Sequence, residues 1–141
     1  MNLEDEQYLR RAIQLATAAG AAGEFPFASL LVADGAVLAE EHHTGHSDDD
    51  ITAHPELKLA RWAARKLDRT QAQRTTMYTS CEPCQMCAAA IRRAGLGRIV
   101  FALSLKQLHQ LSPSTNPVID AAHEGPALFD EARVPIDTYG S

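Results

Sequence analysis

The sequence predicts an α/β domain in which helices pack on a mixed sheet. Helical and extended segments alternate along the chain, without linkers, repeats or low-complexity stretches. A strand, a helix and another strand follow one another around three clustered cysteines, an order that implies parallel pairing. An Asp-Gly pair joins two apolar extended runs, the signature of an antiparallel hairpin.

Taken in order, residues 4–19 read as a first helix with Leu9, Ala12, Ile13, Ala16 and Ala19 on one face. Gly20 and Gly23 end it. Pro26 then introduces a strand through Phe27-Ala28-Ser29-Leu30-Leu31-Val32, Asp34-Gly35 turns the chain, and Ala36 to Glu40 returns. The polar stretch His42 to Ile51 reads as a loop. From Ala53 to about Leu67 a second helix presents Leu57, Ala60, Ala64 and Leu67 to the core. Pro55 fits this helix because it lies in the first turn, where a missing N–H costs nothing.

A short strand, Met77-Tyr78-Thr79, delivers the cysteines to a third helix over residues 84–94. Cys84, Cys87, Ala88 and Ile91 form its inner face, and Gly95 or Gly97 stops it. Arg98 to Leu103 is the next strand. Beyond it come a helical turn around Leu105–Leu111, a Pro-containing loop from Ser112, and a short helix near Ala127–Ala132. An extended segment at Val134–Ile136 closes the chain.

Composition bounds what such a domain does. With 141 residues, 45% hydrophobic and 22% charged, residues 1–141 fit one compact domain. A chain of that length buries roughly 68% of its unfolded surface. No run of 18 apolar residues occurs, and Met1-Asn2-Leu3-Glu4-Asp5-Glu6 is acidic, the opposite of a signal-peptide start. Three cysteines, all between positions 81 and 87, cannot staple distant parts of a fold, so a cytoplasmic location is expected. A formal net charge of −5 gives no global attraction to nucleic acid or to an anionic membrane.

The chemistry concentrates in two short stretches. Cys84 and Cys87 are three residues apart, which puts both sulfurs on one face of a first helical turn. A helix N-terminus favours thiolate, and thiolate favours a cation. Alone, Cys-x-x-Cys is shared by metal sites, redox pairs and coincidence, and His54-Pro55-Glu56 alone says little. One imidazole and two thiolates leave a tetrahedral zinc one ligand short, the arrangement of a catalytic rather than a structural centre. Glu56 is the group to take a proton from water in the open position. In this order, with Pro83 directly before Cys84, the residues match the His-x-Glu…Pro-Cys-x-x-Cys signature of zinc-dependent base deaminases.

From about Tyr8 to Ile136 the chain resembles the cytidine-deaminase-like superfamily, in its branch of guanine, cytosine and tRNA-adenosine deaminases. The likeness is densest at Thr52-Ala53-His54-Pro55-Glu56 and from Cys81 to Ala90. It implies a three-layer α/β/α sandwich with a five-stranded mixed sheet, assembled as a homodimer or larger. It implies Zn2+ held by His54, Cys84 and Cys87, Glu56 as catalytic proton shuttle, and Cys81 outside the ligand set. Phe27, His43, Ala53, Pro55, Glu82 and Pro83 would contact the substrate. The activity implied is hydrolytic deamination of an amino-substituted nucleobase, nucleoside or related amino-heterocycle, of guanine or cytosine type, with release of ammonia. Three positions depart from the family pattern. Pro55 replaces the usual alanine, His43 stands where many relatives carry asparagine, and Ala28 follows Phe27 where glycine is common. These change the residues that read the ring and leave the catalytic set intact.

Other readings carry their own signals. Lys58, Arg61, Arg65 and Arg69 at helical spacing make a basic stripe that an RNA-acting tRNA adenosine deaminase would use, and that a solvated helix face equally explains. Asp48-Asp49-Asp50, just before His54, would repel approaching phosphates. The charge pattern therefore favours a small neutral base or nucleoside, with no nucleic acid and no membrane as partner. A non-catalytic zinc module would want a fourth protein ligand in place of Glu56. His42, His43 and His46 beside the aspartates fit a solvated loop better than a second metal site, although the resemblance turns His43 towards the substrate.

Overall fold

In the computed structural model, which describes residues 1–112 and 119–140, the chain begins with a capping box. The Asn2 side chain accepts from the Asp5 N–H while the Asp5 carboxylate accepts from the Asn2 N–H, so two otherwise unpaired donors are satisfied. Helix α1 (Leu3–Ala21) follows. Strands β1 (Ala28–Ala33) and β2 (Ala36–His42) pair antiparallel through Asp34 and Gly35. Their φ values of 51° and 76° are what a two-residue type I′ turn requires. Strand β3 (Thr76–Cys81) pairs antiparallel with β1 and parallel with β4 (Arg98–Leu103). The sheet is mixed, in the order β2-β1-β3-β4.

Alternation along the strands splits the core into two layers. Leu30, Val32, Tyr78 and Val100 point to one face and pack on Leu9 and Ala12 of α1. Leu31 and Met77 point to the other. There they meet Leu59, Ala60 and Ala63 of helix α2 (Pro55–Lys66) and Ile91 of helix α4 (Gln85–Ala94). One helix, a sheet and two helices form the α/β/α arrangement. Helix α3 (Arg69–Gln73) links α2 to β3. Helix α5 (Leu105–Leu111) follows β4 behind a Ser104–Gln107 capping box. No helix among the described residues is long and apolar enough to cross a membrane.

Several expectations need correction. Among the described residues the sheet has four strands, not five. Val134–Ile136 is not extended: it lies in helix α7 (Val134–Thr138), where Pro135 occupies the first turn and so loses no hydrogen bond. Neither α7 nor the preceding α6 (Phe129–Ala132) buries a residue. The Pro-containing loop expected from Ser112 falls on residues 113–118, which lie outside the described residues. Ile13 is 45% exposed, because the inward stripe of α1 runs from Asp5 through Leu9, Ala12, Ala16 and Ala19. On α2 the buried stripe is Glu56, Leu59, Ala60 and Ala63, while Ala64 is exposed. A polar residue heads each stripe, and that hid its phase. The basic stripe is also broken, since α2 stops at Lys66 and Arg69 begins α3 behind a cap from Asp68.

Candidate metal and catalytic site

The sequence places His54 and Cys84 at equivalent positions, each the extended residue that caps a helix: φ −78°, ψ 143° before α2 and φ −68°, ψ 173° before α4. Neither side chain caps its own helix, so both are free to turn towards each other. His54 Nδ1 lies 3.8 Å from Cys84 Sγ and 3.6 Å from Cys87 Sγ. The three donor atoms fall within 4.8 Å of one another. With Zn–S near 2.3 Å and Zn–N near 2.0 Å, a tetrahedral site needs N···S separations of about 3.5 Å. The donor set therefore fits zinc in chemistry and in spacing, and three protein ligands leave one coordination position for a reactant.

Electrostatics agree with a cation site. The Cys84 thiol is held down at about 3, first by a hydrogen bond from Cys87 and then by His54. Cys87 is pushed the other way, because it keeps the shared proton and is buried. His54 is raised by its hydrogen bond to Cys84. Cys81 is buried outside the donor set, and desolvation lifts its thiol to about 11.

Glu56 sits in the first turn of α2 with only 6% of its surface exposed. Desolvation lifts its carboxyl to about 7, against a weaker lowering by hydrogen bonds and by nearby His54. Its Oε1 lies 3.2 Å from the Ser29 hydroxyl, which in turn stands 2.7 Å from Thr79 Oγ1. Thr79 donates to the Cys81 carbonyl at 3.0 Å.

The structure gathers some of the substrate-contact candidates and gives others separate tasks. His43 is buried, not solvated, and its ring centroid is 4.8 Å from that of His54. Desolvation depresses its imidazole to about 4, and Nδ1 accepts from the Gly45 N–H at 3.0 Å. A Cβ at position 45 would come within 2.5 Å of His43 Cε1, so a larger residue there would have to displace that ring. Phe27 is half-buried, its ring 6.2 Å from His43. Ala53 and Pro55 are buried on either side of His54. Pro83 is half-buried. The Glu82 carboxylate accepts from the Leu105 N–H at 3.0 Å, tying the cysteine loop to α5. Two further aromatics join the wall: Phe25 meets His43 edge-on at 5.0 Å and stacks on His46 at 4.3 Å. Lys58 turns back to the loop, donating to the His42 carbonyl and Thr44 and pairing with Glu41.

Sequence reasoning missed Ser29 and Thr79. Their signal was a hydroxyl on the inward side of each of two apolar strands.

Comparison with known proteins gives the same picture. Residues 3–103 match the family model of the cytidine and deoxycytidylate deaminase zinc-binding region. Guanine deaminase of Bacillus subtilis (strain 168) is 40% identical over 103 residues, covering 71% of this chain and 65% of that protein. A tRNA-specific adenosine deaminase of Haemophilus influenzae is 36% identical over 101 residues, covering 71% of this chain and 58% of the relative. The chain thus spans less than two thirds of the length of these curated relatives. The X-ray structure of guanine deaminase from Bacillus subtilis superposes with a TM-score of 0.78 at 28% identity, over 99% of this chain and 94% of that one.

Proposed function

This chain belongs to the cytidine and deoxycytidylate deaminase zinc-binding family, and from that premise we propose that it is a single-domain zinc-dependent aminohydrolase. Its reaction is hydrolytic deamination of an amino-substituted nucleobase, nucleoside or related heterocycle of guanine or cytosine type, with release of ammonia. The observation that carries this reading is a buried Glu56, in no salt bridge among the described residues, beside an incomplete set of zinc ligands. A structural zinc site has four protein ligands and no use for a carboxyl lifted to about 7.

His54, Cys84 and Cys87 hold the metal, which when bound supplies the Lewis acidity that makes water nucleophilic at neutral pH. Glu56 accepts one proton of the attacking water and hands it to the ring nitrogen, then takes the second from the hydroxyl left on the carbon and hands it to the departing amine, so that the C–N bond breaks and a carbonyl and ammonia result. Burial lifts that carboxyl towards neutrality in the metal-free site, so both its charged and its neutral forms are within reach for taking a proton and returning it. First-turn N–H groups of α4, which lack a side-chain cap, are placed to steady polar atoms at the metal position. His43, neutral at physiological pH, Phe27 and the buried Pro55 shape the space in which the ring lies.

A small substrate is favoured over RNA by charge. Lys58 is engaged by the 42–44 loop and Arg69 belongs to another helix, so the basic face of α2 reduces to Arg61 and Arg65 with Lys66 at its end. The exposed Asp48, Asp49 and Asp50 lie on the loop that leads into His54. A homodimer in the cytoplasm completes the proposal.

The test is a screen of ammonia release from guanine, cytosine, isoguanine, adenine and their nucleosides, run beside metal analysis. The expected result is about one zinc per chain and turnover of at least one of these rings. Metal-free protein of full activity would reject the reading.

A further inference from the structure

Ser29 occupies a place where the pattern of β1 calls for an apolar side chain. It shares the α2-facing side of the sheet with Leu31, and its cross-strand partner is Thr79, preceded on that side by Met77. Both hydroxyl residues are shut away from solvent, at 0% and 1% exposure. Buried hydroxyls need partners: Thr79 donates to the Cys81 carbonyl, and the single Ser29 hydrogen has two acceptors in reach, Thr79 Oγ1 at 2.7 Å and Glu56 Oε1 at 3.2 Å. Thr79 alone would satisfy that hydrogen, so stability does not require the contact with Glu56. That contact reaches from the centre of the sheet to a carboxyl at the head of α2 whose other hydrogen bond is to the backbone of its own turn.

We propose that Ser29, oriented by Thr79, is a positioning residue for Glu56. It fixes Oε1 against the sheet and so presents Oε2 to the reacting atoms above the His54, Cys84 and Cys87 cluster. This rests on the reading of Glu56 as proton carrier. A carboxyl freed from that tether samples several rotamers, and proton transfer needs donor and acceptor within hydrogen-bond reach.

The test uses the zinc-loaded full chain and the ring that it turns over fastest. Ser29→Ala lowers kcat by about tenfold, the scale of a modest misplacement, with KM unchanged within about twofold. Zinc content is unchanged. Thr79→Val, which keeps the shape and removes the hydroxyl, gives a smaller fall with the same split, and stands in should Ser29→Ala not fold. In a Glu56→Gln background Ser29→Ala adds no further loss, since residues acting through one group are not additive. Wild-type kcat in both single variants, or a full additive loss in the Glu56→Gln background, overturns the positioning role and leaves the deaminase reading intact. A Glu56→Gln protein with normal turnover overturns the deaminase reading itself, and the positioning role with it.

Discussion

Asp5 and Glu56 are both carboxylates on the first turn of a helix, and both are buried, at 2% and 6% exposure. They lie on opposite sides of the sheet and are treated in opposite ways. Asp5 takes a bidentate pair of hydrogen bonds from Arg98 at 2.8 Å each, a third from the Tyr78 hydroxyl at 2.6 Å and a fourth from the Asn2 N–H. Arg98 first, then Tyr78 and Asn2, hold its carboxyl far below the usual carboxylate range. Among the described residues no salt bridge reaches Glu56, whose hydrogen bonds come from the backbone of its own turn and the Ser29 hydroxyl, and burial drives it from an ordinary 4.5 up to about 7. That displacement is worth about 3 kcal/mol. The lesson is physical: a fold that buries a charge for stability surrounds it with donors, as at Asp5. A carboxyl left with only neutral hydrogen-bond donors beside a cluster of metal-ligating side chains is the arrangement expected of a proton carrier.

The contrast breaks most completely if the metal cluster is removed. His54→Ala or Cys84→Ala should release zinc and abolish turnover, and should lower Tm because the bound metal stabilises the folded state alone. Metal analysis and a melting curve on the same sample check this, and full zinc retention would reject the ligand assignment.

A smaller effect is expected on the other side of the sheet. Arg98→Met leaves Asp5 without its cation, so Tm should fall by several degrees while kcat per folded molecule stays near wild type. A selective loss of kcat with unchanged Tm would erase the distinction between the two carboxylates.

The finest test is pH. Asp5 is depressed, so its contribution is present above the ordinary carboxylate range near 3.8 and fades as pH falls below it. Glu56 is raised, so its neutral form is accommodated below about pH 4.5 and a penalty grows as pH rises through about 7. In metal-free protein, Glu56→Gln should therefore melt above wild type at pH 8 and level with it near pH 4. Arg98→Met should lose most relative to wild type at neutral pH and least in acid. Melting curves across that range read both slopes.

Much of the site was legible because its parts are local. His54 with Glu56, and Cys84 with Cys87, each lie within three residues on a helix start, so spacing alone orients them. The order of elements through β4 was legible from Gly, Pro and apolar alternation, except for helix α3, which the reading passed over between Leu67 and Met77. What escaped notice depends on distance in the chain. Arg98 reaches Asp5 across 93 positions, and Ser29 reaches Glu56 across 27, and no local pattern encodes either contact. The phase of α2 escaped because its inward stripe begins with Glu56, a residue that periodicity assigns to solvent. The expected last strand failed where Val134 and Ile136 suggested extension but Pro135 suits a first helical turn equally well.

The most direct measurement compares two near-isosteric variants side by side, Glu56→Gln and Asp5→Asn, for kcat and Tm with zinc bound. Glu56→Gln should lose turnover by at least the ~100-fold typical of a positioned acid–base group while keeping zinc and a wild-type or higher Tm. Asp5→Asn should keep turnover per folded molecule and lose Tm. Turnover within a few-fold of wild type in Glu56→Gln would contradict the account, because the proton would then be carried by another group.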